Sequence, residues 1–148
     1  MNDPNIQLLW QTGKPFYEEA VTTVQNINNV IVHEFIYEMS KAYKAADIII
    51  SRAGAIAISE LALLGKPIIL IPYPHATGNH QYKNALSLKE QNAAIIIEDQ
   101  EADKILINTI LTLIMDSTKK NSLSQNIMAF AKPNALNQIV DEIINLSK

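Results

Sequence analysis

Short apolar runs alternate along this chain with longer segments in which apolar residues recur every three or four positions. Such runs are typical of strands covered on both faces of a parallel sheet, and the longer segments are typical of amphipathic helices. We predict strands at Ile6–Trp10, Val30–His33, Asp47–Ile50, Ile68–Ile71 and Ala93–Ile97. We predict helices at Phe16–Gln25, Tyr37–Ala45, Ala55–Leu64, His80–Gln91, Ile105–Met115, Asn121–Ala131 and Ala135–Leu146, and an acidic turn at Glu98–Asp103. This alternation predicts βαβ units with right-handed crossovers, and therefore an α/β fold with a parallel sheet.

The stretch between Ala46 and Pro74 is the part of the sequence that most directly predicts a ligand-binding site. A buried strand runs into the small residues Ser51–Gly54, and a helix begins directly afterwards. Gly65 followed by Pro67 is the usual signal that ends such a helix. The helix therefore starts beyond the carboxyl end of a strand, where open α/β sheets bind ligands and where free N–H groups favour an anion.

The turn before this helix is a weak motif by itself, because it has one glycine and lacks both G-x-G-x-x-G and G-K-[ST]. Gly54 either permits a ligand to approach or only allows tight packing. Glu60 shares a helix face with Ile56 one turn earlier. Its carboxylate can hold ribose hydroxyls, as the acid of a dinucleotide fold does, or it is simply a solvated acid.

Composition narrows the function classes. The 148 residues are 48% hydrophobic and 18% charged, which is typical of a globular domain with its own core. The net charge of −3 with no basic run argues against nucleic acid as the main partner. The chain has no cysteine, which excludes disulfides and thiolate metal sites. It also has no apolar run of about 18–20 residues that would span a membrane, and we expect no signal peptide in its first residues.

Several motifs together resemble the C-terminal half of the MurG family, the bacterial transferases that add N-acetylglucosamine to the undecaprenyl-pyrophosphoryl-muramoyl-peptide lipid. The motifs are Ser51–Ala55 with Ser59-Glu60, Gly65-Lys66-Pro67, Pro72-Tyr73-Pro74, and Asn79-His80-Gln81 with Asn84-Ala85. The resemblance runs from about Ile6 to the end of the chain. It implies a Rossmann-like parallel sheet flanked by helices, the C-terminal half of a B-type glycosyltransferase fold, which holds UDP-N-acetylglucosamine for peptidoglycan synthesis.

The resemblance also assigns roles to individual residues. Phe35 and Ile36 match the segment that holds uracil, where an aromatic face lies beside backbone groups that pair with the base edge. Glu60 matches the carboxylate that binds the ribose hydroxyls. The backbone of Ala55, Ile56 and Ala57 at the helix start matches the diphosphate site. Gly54, Ile58 and Ser59 beside it are also expected to bind the substrate. Asn79, His80 and Gln81 match the loop that reads the sugar hydroxyls, since amide and imidazole groups both donate and accept hydrogen bonds. Arg52 either offsets phosphate charge or pairs with an acid of the protein.

Other expectations concern what surrounds this site. Gln11, Thr12 and Gly13 are expected to border the cleft. There is no D-x-D motif, and the three histidines lack the spacing of a metal site, so we expect neither a metal nor a cofactor. Helix dipole and backbone N–H groups would then stabilise the leaving diphosphate. The resemblance places the acceptor lipid and the catalytic base with an N-terminal domain, and it implies that the intact enzyme associates peripherally with the cytoplasmic side of the bacterial inner membrane.

Relative to the family, the chain lacks that N-terminal domain and the first glycine-rich βα unit. We therefore interpret residues 1–148 as a single C-terminal donor-binding domain of a longer enzyme, with part of the apolar surface of its last helices left uncovered. Two alternatives stay open: the donor subunit of another B-type UDP-sugar transferase, and a non-catalytic interaction domain.

Overall fold

A computed structural model describes residues 4–147 of the chain. The chain forms two compact units that divide between Ala46 and Asp47. All five predicted strands are present, and every strand pair is parallel, as predicted. The interpretation of the whole chain as one domain stays a prediction.

The N-terminal unit consists of two βα pairs. The first pair is strand β1 (Leu8–Gln11) and helix α1 (Tyr17–Thr23), joined through a 3₁₀ turn at Lys14–Phe16. The second pair is strand β2 (Val30–His33) and helix α2 (Met39–Ala45). Strands β1 and β2 pair in parallel, with Leu8 opposite Val30 and Gln11 opposite His33. Gly13 turns the chain after β1 with φ of 73°, a left-handed conformation that suits glycine.

The C-terminal unit contains a three-stranded parallel sheet in the order β3-β4-β5. Its elements are β3 (Ile49–Ser51), α3 (Ala55–Leu64), β4 (Ile68–Leu70), α4 (His80–Glu90), β5 (Ile95–Ile96), α5 (Asp99–Met115), α6 (Ser117–Met128) and α7 (Ala135–Leu146), with a 3₁₀ turn at Thr77–Asn79 before α4. The central strand β4 is completely buried, as its three apolar residues predict. Helix α3 has the bounds predicted from the sequence, and Gly65 ends it in the left-handed conformation.

The core of this unit lies between the sheet and the helices that follow it. Ile69, Ile97, Leu113 and Leu123 form one buried cluster. Helix α3 faces the core with Ile58, Leu61 and Ala62. Helix α6 packs against both α3 and α5. Helix α6 contacts the C-terminal end of α3, where Gly65 lies beside Met128 and Ser124.

The prediction of an acidic turn at Glu98–Asp103 is wrong, because α5 already begins at Asp99. Acidic residues at 99 and 101 lie in its first turn, where they stabilise the positive end of the helix dipole. Helix α6 also begins earlier than predicted. Asp116 caps it by accepting a hydrogen bond from the Lys119 N–H at 2.8 Å.

Helix α7 exposes most of its apolar residues, in agreement with the expected uncovered surface. They are Leu136, Ile139, Val140, Ile143, Ile144 and Leu146. Within residues 4–147, no helix is both long enough and apolar enough to cross a bilayer.

Candidate functional site

The β3–α3 turn forms the centre of the candidate site. An α-helix begins with N–H groups that lack an acceptor within the helix, and no side chain among the described residues caps the start of α3. Gly54, at the N-cap, has φ of −69° and ψ of 142°, a conformation open to any residue. A Cβ atom at Gly54 would meet no other atom within 4 Å. Glycine is therefore not required there for packing, and it leaves open space beside uncapped amide hydrogens.

Two side chains of α4 hold this turn in place. Ala53 is completely buried, so its backbone groups need hydrogen-bond partners. The Gln81 Oε1 accepts from the Ala53 N–H at 3.1 Å, and the Asn84 amide donates to the Ala53 carbonyl at 3.1 Å. The same Gln81 oxygen accepts from the Tyr73 N–H at 2.9 Å. Gln81 thus connects the β3–α3 turn to the loop after β4 through its side-chain oxygen. Within residues 4–147 no hydrogen bond uses its NH₂ group, so this donor is available to a ligand.

Arg52 pairs with an acid of the protein, one of the two outcomes expected from the sequence. Its guanidinium forms a salt bridge with Asp99 in the first turn of α5 and donates to the Ile71 carbonyl at 3.3 Å. It also lies 5.7 Å from the centre of the Tyr73 ring. Arg52 therefore connects the ends of β3 and β4 to the start of α5, and it remains about half exposed.

Glu60 lies on α3 and is exposed. Among the residues that the structure describes, it has no salt-bridge or hydrogen-bond partner, so its carboxylate is available to a ligand. Ile56, one turn earlier, is 78% exposed. The preceding Ser59 hydroxyl donates to the Ala55 carbonyl at 2.9 Å and is committed to its own helix.

Asn79 and His80 lie exposed at the start of α4. Asn79 has φ of 56°, a left-handed conformation that asparagine tolerates better than most residues. The His80 ring lies beside Gly78, with Nε2 3.2 Å from where a Cβ of Gly78 would be. His80 therefore packs over its own turn, and its role toward a sugar stays a prediction.

Phe35 and Ile36 lie in the N-terminal unit, after β2. Phe35 is exposed and makes an edge-to-face contact with Tyr37, with ring centres 5.1 Å apart. The Ile36 N–H donates to Gln11 Oε1 at 2.8 Å. The backbone donor expected to meet a base edge is thus engaged by a side chain, a contact that the sequence did not predict.

Of the predicted residues in the C-terminal unit, Gln81 is hydrogen-bonded to the β3–α3 turn and Arg52 is part of that turn. The structure also adds two that sequence reasoning did not include as site residues, Asn84 and Asp99. Asn84 was part of the motif that carried the resemblance, so its spacing after Gln81 was the available signal. No local signal pointed to Asp99. Within residues 4–147, no group of three or more His, Asp and Glu residues is arranged to hold a metal ion.

Comparison with known proteins places this geometry in a family. The glycosyltransferase family 28 C-terminal domain matches residues 2–139. The chain belongs to this family. The uncapped start of α3 and the α4 residues that hold its turn are thus features of a family 28 C-terminal domain.

Relatives of this family 28 domain carry a more specific name. The chain is 47% identical to a Porphyromonas gingivalis protein and 42% identical to a Cytophaga hutchinsonii protein, over 97% and 99% of its own length. Both are named UDP-N-acetylglucosamine--N-acetylmuramyl-(pentapeptide) pyrophosphoryl-undecaprenol N-acetylglucosamine transferase. The chain spans only 38% and 39% of these relatives.

A solved structure agrees with this similarity. The crystal structure of Acinetobacter baumannii MurG superposes with a TM-score of 0.81 at 31% identity, over 94% of this chain and 41% of that one. This match confirms the expected Rossmann-like half of a B-type glycosyltransferase fold.

Proposed function

We propose that this family 28 domain binds UDP-N-acetylglucosamine as the sugar donor of a peptidoglycan transferase. The observation that carries the proposal is the uncapped start of α3 with open space at Gly54. A helix start of this kind stabilises a diphosphate through backbone N–H groups and the helix dipole, without a metal ion. The names of the relatives support the choice of donor.

Each remaining part of the donor has a candidate partner. The available carboxylate of Glu60 accepts hydrogen bonds from the ribose hydroxyls. The free NH₂ group of Gln81, together with Asn79 and His80, meets hydroxyls of the N-acetylglucosamine. Phe35 and the Ile36 backbone hold the uracil. Arg52 acts mainly on the protein, since Asp99 already balances its charge.

The complete enzyme would transfer the sugar to the undecaprenyl-pyrophosphoryl-muramoyl-peptide acceptor, with inversion, at the cytoplasmic face of the bacterial inner membrane. We infer that the acceptor, the catalytic base and the peripheral membrane attachment belong to the part of the relatives that this chain does not span. The chain by itself would bind donor and catalyse nothing. The names of the relatives give no support to a non-catalytic interaction domain or to another UDP-sugar transferase.

Calorimetric titration of the 148-residue chain with UDP, and with ADP as the comparison, tests this proposal. We expect binding of UDP and much weaker binding of ADP, because the base site recognises uracil. Glu60→Ala should weaken UDP binding without changing thermal unfolding, since Glu60 is exposed and its carboxylate has no hydrogen-bond or salt-bridge partner within residues 4–147. Equal binding of both nucleotides, or none of either, would refute the proposal.

A further inference from the structure

The contact between Gln11 and Ile36 is not needed by either strand of the N-terminal unit. Gln11 is the last residue of β1 and pairs with His33 of β2. The ladder then continues through the backbone, with Thr12 N–H donating to the His33 carbonyl at 3.0 Å and Gly13 N–H to the Glu34 carbonyl at 3.1 Å. The strands are thus paired without the side chain of Gln11.

The Gln11 side chain instead supplies an acceptor to a backbone donor beyond the strand. Its Oε1 lies 2.8 Å from the Ile36 nitrogen. Gln11 is exposed, and the neighbours of Ile36 in the sequence, Phe35 and Tyr37, are exposed aromatic residues whose rings contact each other edge to face. The hydrogen bond between Gln11 and Ile36 itself lies at the exposed surface, where a ligand can reach the donor.

A primary amide and the imide edge of uracil are chemically alike. Both present a carbonyl acceptor and an N–H donor side by side in one plane. A base that pairs with the Ile36 backbone must supply a carbonyl oxygen to its N–H, which is the group that Gln11 already supplies. Base and Gln11 amide cannot both occupy this donor with good geometry.

We infer that Gln11 competes with the base for the Ile36 N–H and so lowers the affinity of the base site, because its amide presents the same acceptor as the base edge. This inference rests on the proposed function. A base binds by displacing the amide, and a ring edge that returns a carbonyl or ring-nitrogen acceptor restores the hydrogen bond. A ring that turns an amino group toward the Ile36 N–H leaves this donor unsatisfied, which is costly.

Calorimetry with UDP on the 148-residue chain and on Gln11→Ala tests the competition. The variant no longer has a bond to break, so it should bind UDP about 2- to 10-fold more tightly than the wild type. Gln11→Glu keeps an oxygen acceptor and should bind UDP no more tightly than the wild type. Gln7→Ala, an exposed glutamine that precedes β1, is the matched control and should leave UDP affinity unchanged.

Amide resonances in ¹H–¹⁵N spectra give a second readout that does not depend on affinity. The Ile36 amide resonance should shift in Gln11→Ala and should shift in the wild type when UDP is added. Unchanged or weaker UDP binding by Gln11→Ala would overturn the inference, and so would an Ile36 resonance that UDP leaves in place. If the wild type binds UDP while these results fail, the proposed function stands without this role for Gln11. If the wild type binds no UDP, both fail.

Discussion

Replacing Gly54 with serine should make the protein more stable and a poorer ligand-binding domain. Gly54 occupies the N-cap of α3, where no side chain within residues 4–147 caps the helix. Serine is a preferred N-cap residue, and its hydroxyl accepts a hydrogen bond from the N–H two or three positions on. In α3 those donors belong to Ile56 and Ala57. They are the same N–H groups that we propose for the diphosphate.

The gain in stability follows from the geometry of the N-cap. The φ of −69° and ψ of 142° suit serine, and a Cβ would meet no atom within 4 Å, so the substitution introduces no strain. The cap should contribute a few tenths to about 1 kcal/mol, and the lower entropy of the unfolded chain adds about 0.4–1 kcal/mol. A rise of about 1 kcal/mol in the free energy of unfolding corresponds to about 2–4 °C in Tm.

The expected loss of affinity is larger. A hydrogen bond to a charged group contributes about 1.5–3 kcal/mol, so the loss of one such bond to the diphosphate should weaken UDP binding about 10- to 100-fold. Thermal unfolding and calorimetry with UDP measure the two effects on the same samples. Gly54→Ala is the matched control, since it adds the Cβ without the hydroxyl and separates steric hindrance from competition for the amides.

The two effects must therefore have opposite signs. A Gly54→Ser protein that is more stable and binds UDP as tightly as the wild type would refute the reasoning, because the cap would have formed without touching the ligand site. A loss of affinity of the same size in Gly54→Ala would show that space, and not the amide hydrogens, limits binding.

Two further predictions test the support of the site and the end of α3. Gln81→Glu keeps the acceptor oxygen that holds two backbone N–H groups but removes the NH₂ donor, so this variant should bind UDP normally and UDP-N-acetylglucosamine more weakly. Gln81→Met loses both the oxygen and the NH₂ group, so it should also unfold at a lower temperature than Gln81→Glu. Equal effects of the two variants on Tm would contradict this role of the oxygen. Gly65→Ala should lower the free energy of unfolding by about 1–3 kcal/mol in denaturant titration, because alanine is strained at φ of 60° and its Cβ would lie 2.9 Å from the Met128 sulfur. Gly54→Ala is the control, because Gly54 has a negative φ. Equal stability of the two variants would disprove the argument.

The order and type of the elements followed from the sequence alone, because their signals are local. The bounds of α3 were predicted correctly since its residues are followed by Gly65 and Pro67, which end a helix regardless of what packs on it. Motif spacing along α3, α4 and their flanking loops was enough to indicate the family, as the comparison confirmed. The start of α5 was missed because acidic residues suit both a turn and the first turn of a helix.

Only the tertiary structure decided which polar groups are still available to a ligand. Arg52 is neutralised by an acid 47 residues later, Gln81 uses its oxygen on backbone groups 28 and 8 residues away, and Gln11 engages an amide 25 residues on. No periodicity or propensity encodes these contacts, because they depend on where the parallel strands end relative to one another. A side chain's type sets what it can bind, but the fold determines which of its hydrogen bonds are already made.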